Sequence, residues 1–136
     1  MSALLLKGGR VIDPAAKRNE ICDVLIEDGV IRQVGKDLSA DGAEVYDASG
    51  KIVTPGFIDM HTHLREPGQE AKEDFASGSR AGAAGGYTTI ATMPNTRPVV
   101  DDAALVTSLI KRAEDASVIH ICIIGAVTKN QEGKEL

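Results

Sequence analysis

The sequence predicts an α/β protein in two parts: a β-rich lead over residues 1–54, then alternating strands and helices over residues 55–136. Three observations carry this reading. The lead holds short β-branched runs separated by glycine pairs and an Asp28-Gly29 hairpin signal. From Pro55 onward the apolar rhythm becomes strand, helix, strand, helix, strand. The run Val118-Ile119-His120-Ile121-Cys122-Ile123-Ile124 is almost unbroken, as in a parallel strand covered on both faces.

Each element has its own warrant. Leu4-Leu5-Leu6 leads into Gly8-Gly9, read as a turn, and Arg10-Val11-Ile12-Asp13 is a second short strand stopped by Pro14. Ile21–Glu27 and Val30–Val34 form the hairpin around Asp28-Gly29. Val45-Tyr46-Asp47 and Lys51-Ile52-Val53-Thr54 flank a turn at Ser49-Gly50. Strands this short have exposed edges and need a partner sheet.

In the second part, Phe57, Ile58 and Met60 mark a short buried strand that ends in His61. A helix follows over 74–84, where Gly78 and Gly82 permit close approach to a sheet and Gly85-Gly86 stops it. Thr88–Met93 is the next strand. Asp101 or Asp102 caps a second helix, whose Leu105, Val106, Leu109, Ile110 and Ala113 share helical spacing. No internal repeat or low-complexity stretch is visible.

Composition narrows the function. Fifteen basic against twenty acidic residues give a net charge of −5, and aromatics are scarce. That balance argues against nucleic acid or an anionic membrane as partner. Leu4-Leu5-Leu6 has no basic region before it and no long apolar run, so neither a signal peptide nor a spanning helix is expected. Cys22 and Cys122 are far apart and read as two free thiols in a reducing, cytoplasmic setting.

The chemistry concentrates in Asp59-Met60-His61-Thr62-His63-Leu64-Arg65-Glu66-Pro67-Gly68. Residues two apart in a strand point the same way. His61 and His63 therefore converge while Thr62 turns away, an arrangement suited to a divalent metal. Arg65 keeps that parity if the strand persists, placing a planar cationic fork beside the metal. Asp59 and Glu66 are read as supports behind the site, not as catalytic acids. Glu70, Lys72 and Glu73 are a solvated helix entry, Arg97 a solvated loop cation, and His120 a hydrogen-bonded core histidine. Asn95, between Pro94 and Pro98, reads on its own as an Asx turn shaping its loop. Gly125, Thr128 and Asn130 end the third strand and carry no specific assignment.

Two segments resemble a known family. Residues 59–68 resemble the first metal-binding strand of the amidohydrolase superfamily. Arg65-Glu66-Pro67-Gly68 is similar to the dihydroorotase branch, as is Met93-Pro94-Asn95-Thr96-Arg97-Pro98-Val99-Val100-Asp101. The resemblance covers essentially the whole chain but only the front of such an enzyme. It implies the first three strands and two helices of an incomplete (β/α)8 barrel over 55–136. It also implies, over 1–54, part of a small β-sandwich completed by strands from a distant C-terminus. A closed barrel typically takes about 250 residues, more than the chain holds.

The family pattern implies His61 and His63 as metal ligands, with zinc as the ion and two ions per complete site. Arg65 and Asn95 would hold the substrate carboxylate. No catalytic acid–base residue is assigned within these residues; the family's aspartate is expected after Leu136. Two histidines fall short of a catalytic zinc site, which normally keeps three protein ligands. The expectation is thus an inactive fragment of a dihydroorotase, the enzyme that opens and closes dihydroorotate and N-carbamoyl-aspartate in pyrimidine synthesis. Hydantoinase (dihydropyrimidinase) or allantoinase activity is one alternative. A non-catalytic dihydroorotase-like partner of aspartate transcarbamoylase is another, and a homo-oligomer remains open.

Overall fold

The computed structural model describes residues 2–136 and separates them at Pro55/Gly56 into two units, each with its own sheet. The first unit is built around β1 (Ala3–Asp13). On one side of it β2 (Arg18–Glu27) and β3 (Val30–Gly35) run antiparallel in sequence order; on the other, β4 (Glu44–Asp47) and β5 (Ile52–Val53) run parallel to it. Asp28 and Gly29 both have positive φ, at 49° and 77°, as a two-residue primed hairpin turn requires. The segments around Ser49-Gly50 do not pair with each other; each adds to β1.

Gly8-Gly9 is a bulge inside one long strand and not the turn expected from the glycine pair. Leu6 pairs with Val24 and Gly9 with Cys22, so β1 carries one extra residue there. Gly8 supplies the positive φ of 70°, and its N–H donates to Asp23 Oδ1 at 2.8 Å. The extra residue resets the alternation. Val11 then joins Cys22 and Val24 in one cluster, while Leu5, Leu25 and Leu38 form another.

The second unit holds β6 (Phe57–Thr62), α1 (Phe75–Ala84), β7 (Tyr87–Thr92), α2 (Ala103–Ala116) and β8 (His120–Ile123), followed by a short 3-10 turn at Lys129–Gln131. The three strands form a parallel sheet in the order β6-β7-β8. Asp74 caps α1 through the Ser77 N–H, and Ser77 returns the favour with its hydroxyl, a reciprocal capping box. Asp102, not Asp101, caps α2 by accepting from Ala104 and Leu105. Gly78 admits Leu64, whose Cδ2 would lie 2.4 Å from an added Cβ. Leu64, Phe75, Ile90, Val100, Leu109, Ala113 and Ile121 make the core between helices and sheet.

The other side of that sheet is uncovered among the described residues, and this corrects two expectations. Phe57, Ile58 and Met60 are 53%, 65% and 77% exposed, not buried. Strand β8 is shorter than its apolar run, and burial alternates along it: Ile121 is buried while His120 and Cys122 are exposed. His120 is therefore not a core histidine. Both cysteines are free thiols, Cys22 in the first unit and Cys122 in the second. No helix among the described residues is long and apolar enough to cross a membrane.

Candidate metal and carboxylate site

His61, at the end of β6, His63 just past it and Asn95 past the end of β7 come together at the C-terminal ends of these strands, where parallel sheets of this kind place their sites. Strand β6 is irregular before it ends. Asp59 pairs with Ile90 and Thr62 with Thr92, so an extra residue is accommodated at Met60-His61. Asp59 Oδ1 accepts the His61 backbone N–H at 3.0 Å and fixes that irregular turn of chain. The support role expected of Asp59 is thus exerted on the backbone. Thr62 donates its hydroxyl to the Ala91 carbonyl at 2.9 Å, tying the strand end to β7.

His61 and His63 lie side by side, both exposed, with ring centroids 5.3 Å apart and planes inclined by 65°. His63 Nδ1 is 2.9 Å from Asn95 Oδ1. Asn95 thus does not use its oxygen in the Asx turn that its loop context alone would favour. Its loop is closed instead by Thr96, which is buried and donates its hydroxyl to the Pro98 carbonyl at 2.7 Å. The Val100 N–H donates to the Pro94 carbonyl at 3.1 Å.

Arg65 does not continue the strand. Its φ is +63°, and the strand has already ended at Thr62. The side chain is half-buried, and among the described residues its guanidinium has no ion-pair or hydrogen-bond partner. The next residue explains how this turn is held. Glu66 is only 5% exposed; Oε2 accepts the Phe75 N–H at 2.9 Å at the start of α1, and Oε1 pairs with Arg112 of α2. A single carboxylate therefore binds the loop to both helices. Glu66 stands behind the site as its place in the motif implies, but nothing in the sequence marks Arg112, an ordinary basic residue on an exposed helix face.

The two sequence motifs form one interlocked structure. The Arg97 N–H donates to the Pro67 carbonyl at 3.0 Å. Gly68, at φ +88°, lies so close that an added Cβ would sit 1.9 Å from the Arg97 carbonyl oxygen. Arg65-Glu66-Pro67-Gly68 and Asn95-Thr96-Arg97-Pro98 thus position each other by backbone contact. Arg97 itself is exposed, with no side-chain partner among the described residues. Glu70 is exposed and accepts the Gly68 N–H at 2.8 Å, a bond that holds its carboxyl below the usual range. Among the described residues the Lys72 ammonium reaches only Gln69. Beyond β8, Thr128 accepts from the Gly133 N–H within its own turn, and the Asn130 N–H donates to Asp101, which ties that turn to the segment before α2.

This donor set fits part of a metal site. Two neighbouring imidazoles are the borderline ligands that zinc and similar ions take. Among the described residues no group of three or more His, Cys, Asp or Glu side chains is placed to hold a metal. A complete four-coordinate site thus needs donors beyond these two. Asn95 sets an amide beside His63, and the Arg65 guanidinium, two residues further along the chain, has no partner among the described residues; both groups suit a carboxylate.

A family profile described as dihydro-orotase-like matches residues 50–136. The chain is 52% identical over 134 residues to a dihydroorotase of Citrifermentans bemidjiense, covering 98% of this chain and 32% of that protein. It is 49% identical, with the same coverage, to a dihydroorotase of Geobacter sulfurreducens. Among solved structures, the L-hydantoinase (dihydropyrimidinase) of Arthrobacter aurescens superposes with a TM-score of 0.85 at 27% identity, over 94% of this chain and 28% of that one. The chain thus spans about a third of the length of the curated relatives it matches.

Proposed function

The chain belongs to the dihydro-orotase-like family, and from that premise we propose that it is the front third of a dihydroorotase, a metal-dependent cyclic amidohydrolase of pyrimidine synthesis. Residues 55–136 are the first βαβαβ portion of its (β/α)8 barrel, and residues 1–54 part of a small sandwich. The observation that carries this reading is the juxtaposition of His61 and His63 with Asn95, with Arg65 two residues on from His63 and without a side-chain partner among the described residues. The exposed apolar residues of β6 support it as well: a strand of a closed barrel meets further strands and side chains on the face left open here.

In this reading His61 and His63 hold zinc, and the remaining ligands and an acid–base aspartate come from later strands. When bound, the metal polarises the ring carbonyl and acidifies the attacking water. The chain's own residues do the positioning. Arg65 and Asn95 grip the substrate carboxylate, and the Glu66 clamp keeps Arg65 turned toward it. Water adds to the ring carbonyl carbon, the carbon–nitrogen bond breaks, and the departing nitrogen takes a proton; the reverse closes the ring. The 136 residues alone lack the full set and are inactive.

Hydantoinase or allantoinase activity is the second reading, favoured by the hydantoinase fold likeness. The identities near 50% to dihydroorotases weigh against it. A non-catalytic partner of a transcarbamoylase is a third, and it fits less well with both imidazoles present. The test is an assay of the chain and of a version extended to the length of its relatives, with zinc, on dihydroorotate, hydantoin and allantoin. Turnover of dihydroorotate by the extended protein alone is expected. Preference for hydantoin or allantoin, or full activity of the 136 residues, overturns the proposal.

A further inference from the structure

We propose that Asn95 is a positioning residue for His63: its amide oxygen fixes the imidazole in the tautomer protonated at Nδ1 and leaves Nε2 as the nitrogen free to bind a metal. A neutral imidazole carries one proton on two nitrogens, and only the bare nitrogen can coordinate. Asn95 Oδ1, 2.9 Å from Nδ1, accepts only if Nδ1 bears the proton. Metal-binding histidines commonly donate their second ring nitrogen to an oxygen acceptor in this way, which fixes the ring and raises its basicity.

The two rings are not equivalent in this respect. Among the described residues the His61 ring has no hydrogen-bond partner; its control comes only through Asp59 and the backbone. His63 therefore starts with its tautomer chosen, and His61 does not. The inference rests on the reading of His61 and His63 as ligands, and it adds a division of labour within one amide. With Oδ1 turned to His63, the NH2 group of Asn95 is the end left for an anion. Carboxylate binding and ligand orientation then meet in a single side chain held by the Thr96 loop. An aspartate there keeps the acceptor and loses the donor; a leucine loses both.

The test uses the 136-residue chain with 15N-labelled histidine at about pH 8.5, above the ordinary imidazole range, reading long-range proton–nitrogen correlations of each ring. His63 is expected with a protonated Nδ1 in the wild type and in Asn95→Asp. In Asn95→Leu it moves toward the mixed tautomers of an unrestrained ring, with His120 unchanged as the internal reference. A His63 protonated at Nε2 in the wild type, or locked at Nδ1 in Asn95→Leu, overturns the proposal. A zinc titration of the same samples separates it from the reading beneath it. About a tenfold weaker affinity in Asn95→Leu, restored in Asn95→Asp, supports the positioning role; equal affinity in all three overturns it. If zinc leaves both rings of the wild type unmoved, the ligand reading and the metal-directed role of Asn95 fall together. The tautomer result still decides whether Asn95 sets the ring.

Discussion

Asp23 in the first unit and Glu66 in the second are the same device put to different uses. Each is a buried carboxylate that accepts from the backbone, two N–H groups at Asp23 and one at Glu66, and pairs with one basic side chain. Asp23 accepts from Gly8 and Leu38 and lies 3.4 Å from Lys7; Glu66 accepts from Phe75 and pairs with Arg112. Asp23 fastens a bulge and a loop within a sheet, with no candidate chemistry beside it. Glu66 fastens a loop whose neighbours in sequence are His63 and Arg65. A buried, paired carboxylate thus marks a structural junction, and what flanks the junction decides whether it serves a site.

The largest break in this comparison lies in the loop that Glu66 holds. Gly68→Ala puts a methyl group into the Arg97 carbonyl at a positive φ, and a loss of about 3 kcal/mol is expected. Amide hydrogen exchange should show it in β6, β7 and α1, with the first unit unaffected. A loss under about 0.5 kcal/mol contradicts the interlock of the two motifs.

Glu66→Gln comes next. It removes the charge facing Arg112 and weakens the bond to Phe75, for about 2 kcal/mol; Arg112 is half exposed, which keeps the figure below that of a fully buried pair. Asp23→Asn should cost about the same or slightly less, because at least one of the two N–H groups, Gly8 part-buried and Leu38 buried, keeps an oxygen acceptor. The two variants should each destabilise only their own unit. If Glu66→Gln weakens the first unit equally, the comparison fails.

Acid sharpens the contrast from the Asp23 side. Burial alone raises its pKa, but the N–H groups of Gly8 and Leu38 and the Lys7 ammonium together outweigh this and hold it below the usual range. A folded-state pKa below the unfolded value contributes stability that is present above the unfolded pKa, about 3.9. That stability is lost as pH falls through the lower folded value. The first unit should weaken below about pH 4, and Asp23→Asn should flatten that part of its pH profile. The smallest effect is expected at a helix cap: Asp74→Ala should weaken α1, by removing the acceptor for Ser77, less than either buried-carboxylate variant weakens its unit.

Much of the fold was legible because local chemistry determined it. Asp28-Gly29 needed two positive φ angles, Asp102 was an open acceptor before a helix, and the strand–helix rhythm marked the second unit. The candidate residues were legible as a motif for the same reason. What stayed hidden depended on partners distant in sequence. Gly8-Gly9 suits a turn or a bulge, and only the register against β2 selects between them. The burial of Phe57, Ile58 and Met60 depends on what covers the sheet, which strand composition does not state. His63 and Asn95 are separated by 32 residues, and their contact follows from β6 and β7 being neighbours. Arg112 carried no signal at all, since a basic residue on a helix face is ordinary.

The central claim is that His61 and His63 share one cation, and the three histidines of the chain provide their own control. Zinc added to the 15N-histidine-labelled chain, followed at each ring, addresses it most directly. The rings of His61 and His63 should shift together at the same zinc concentration while His120 stays still. A shift of only one of the pair, or of His120 in equal measure, contradicts the claim.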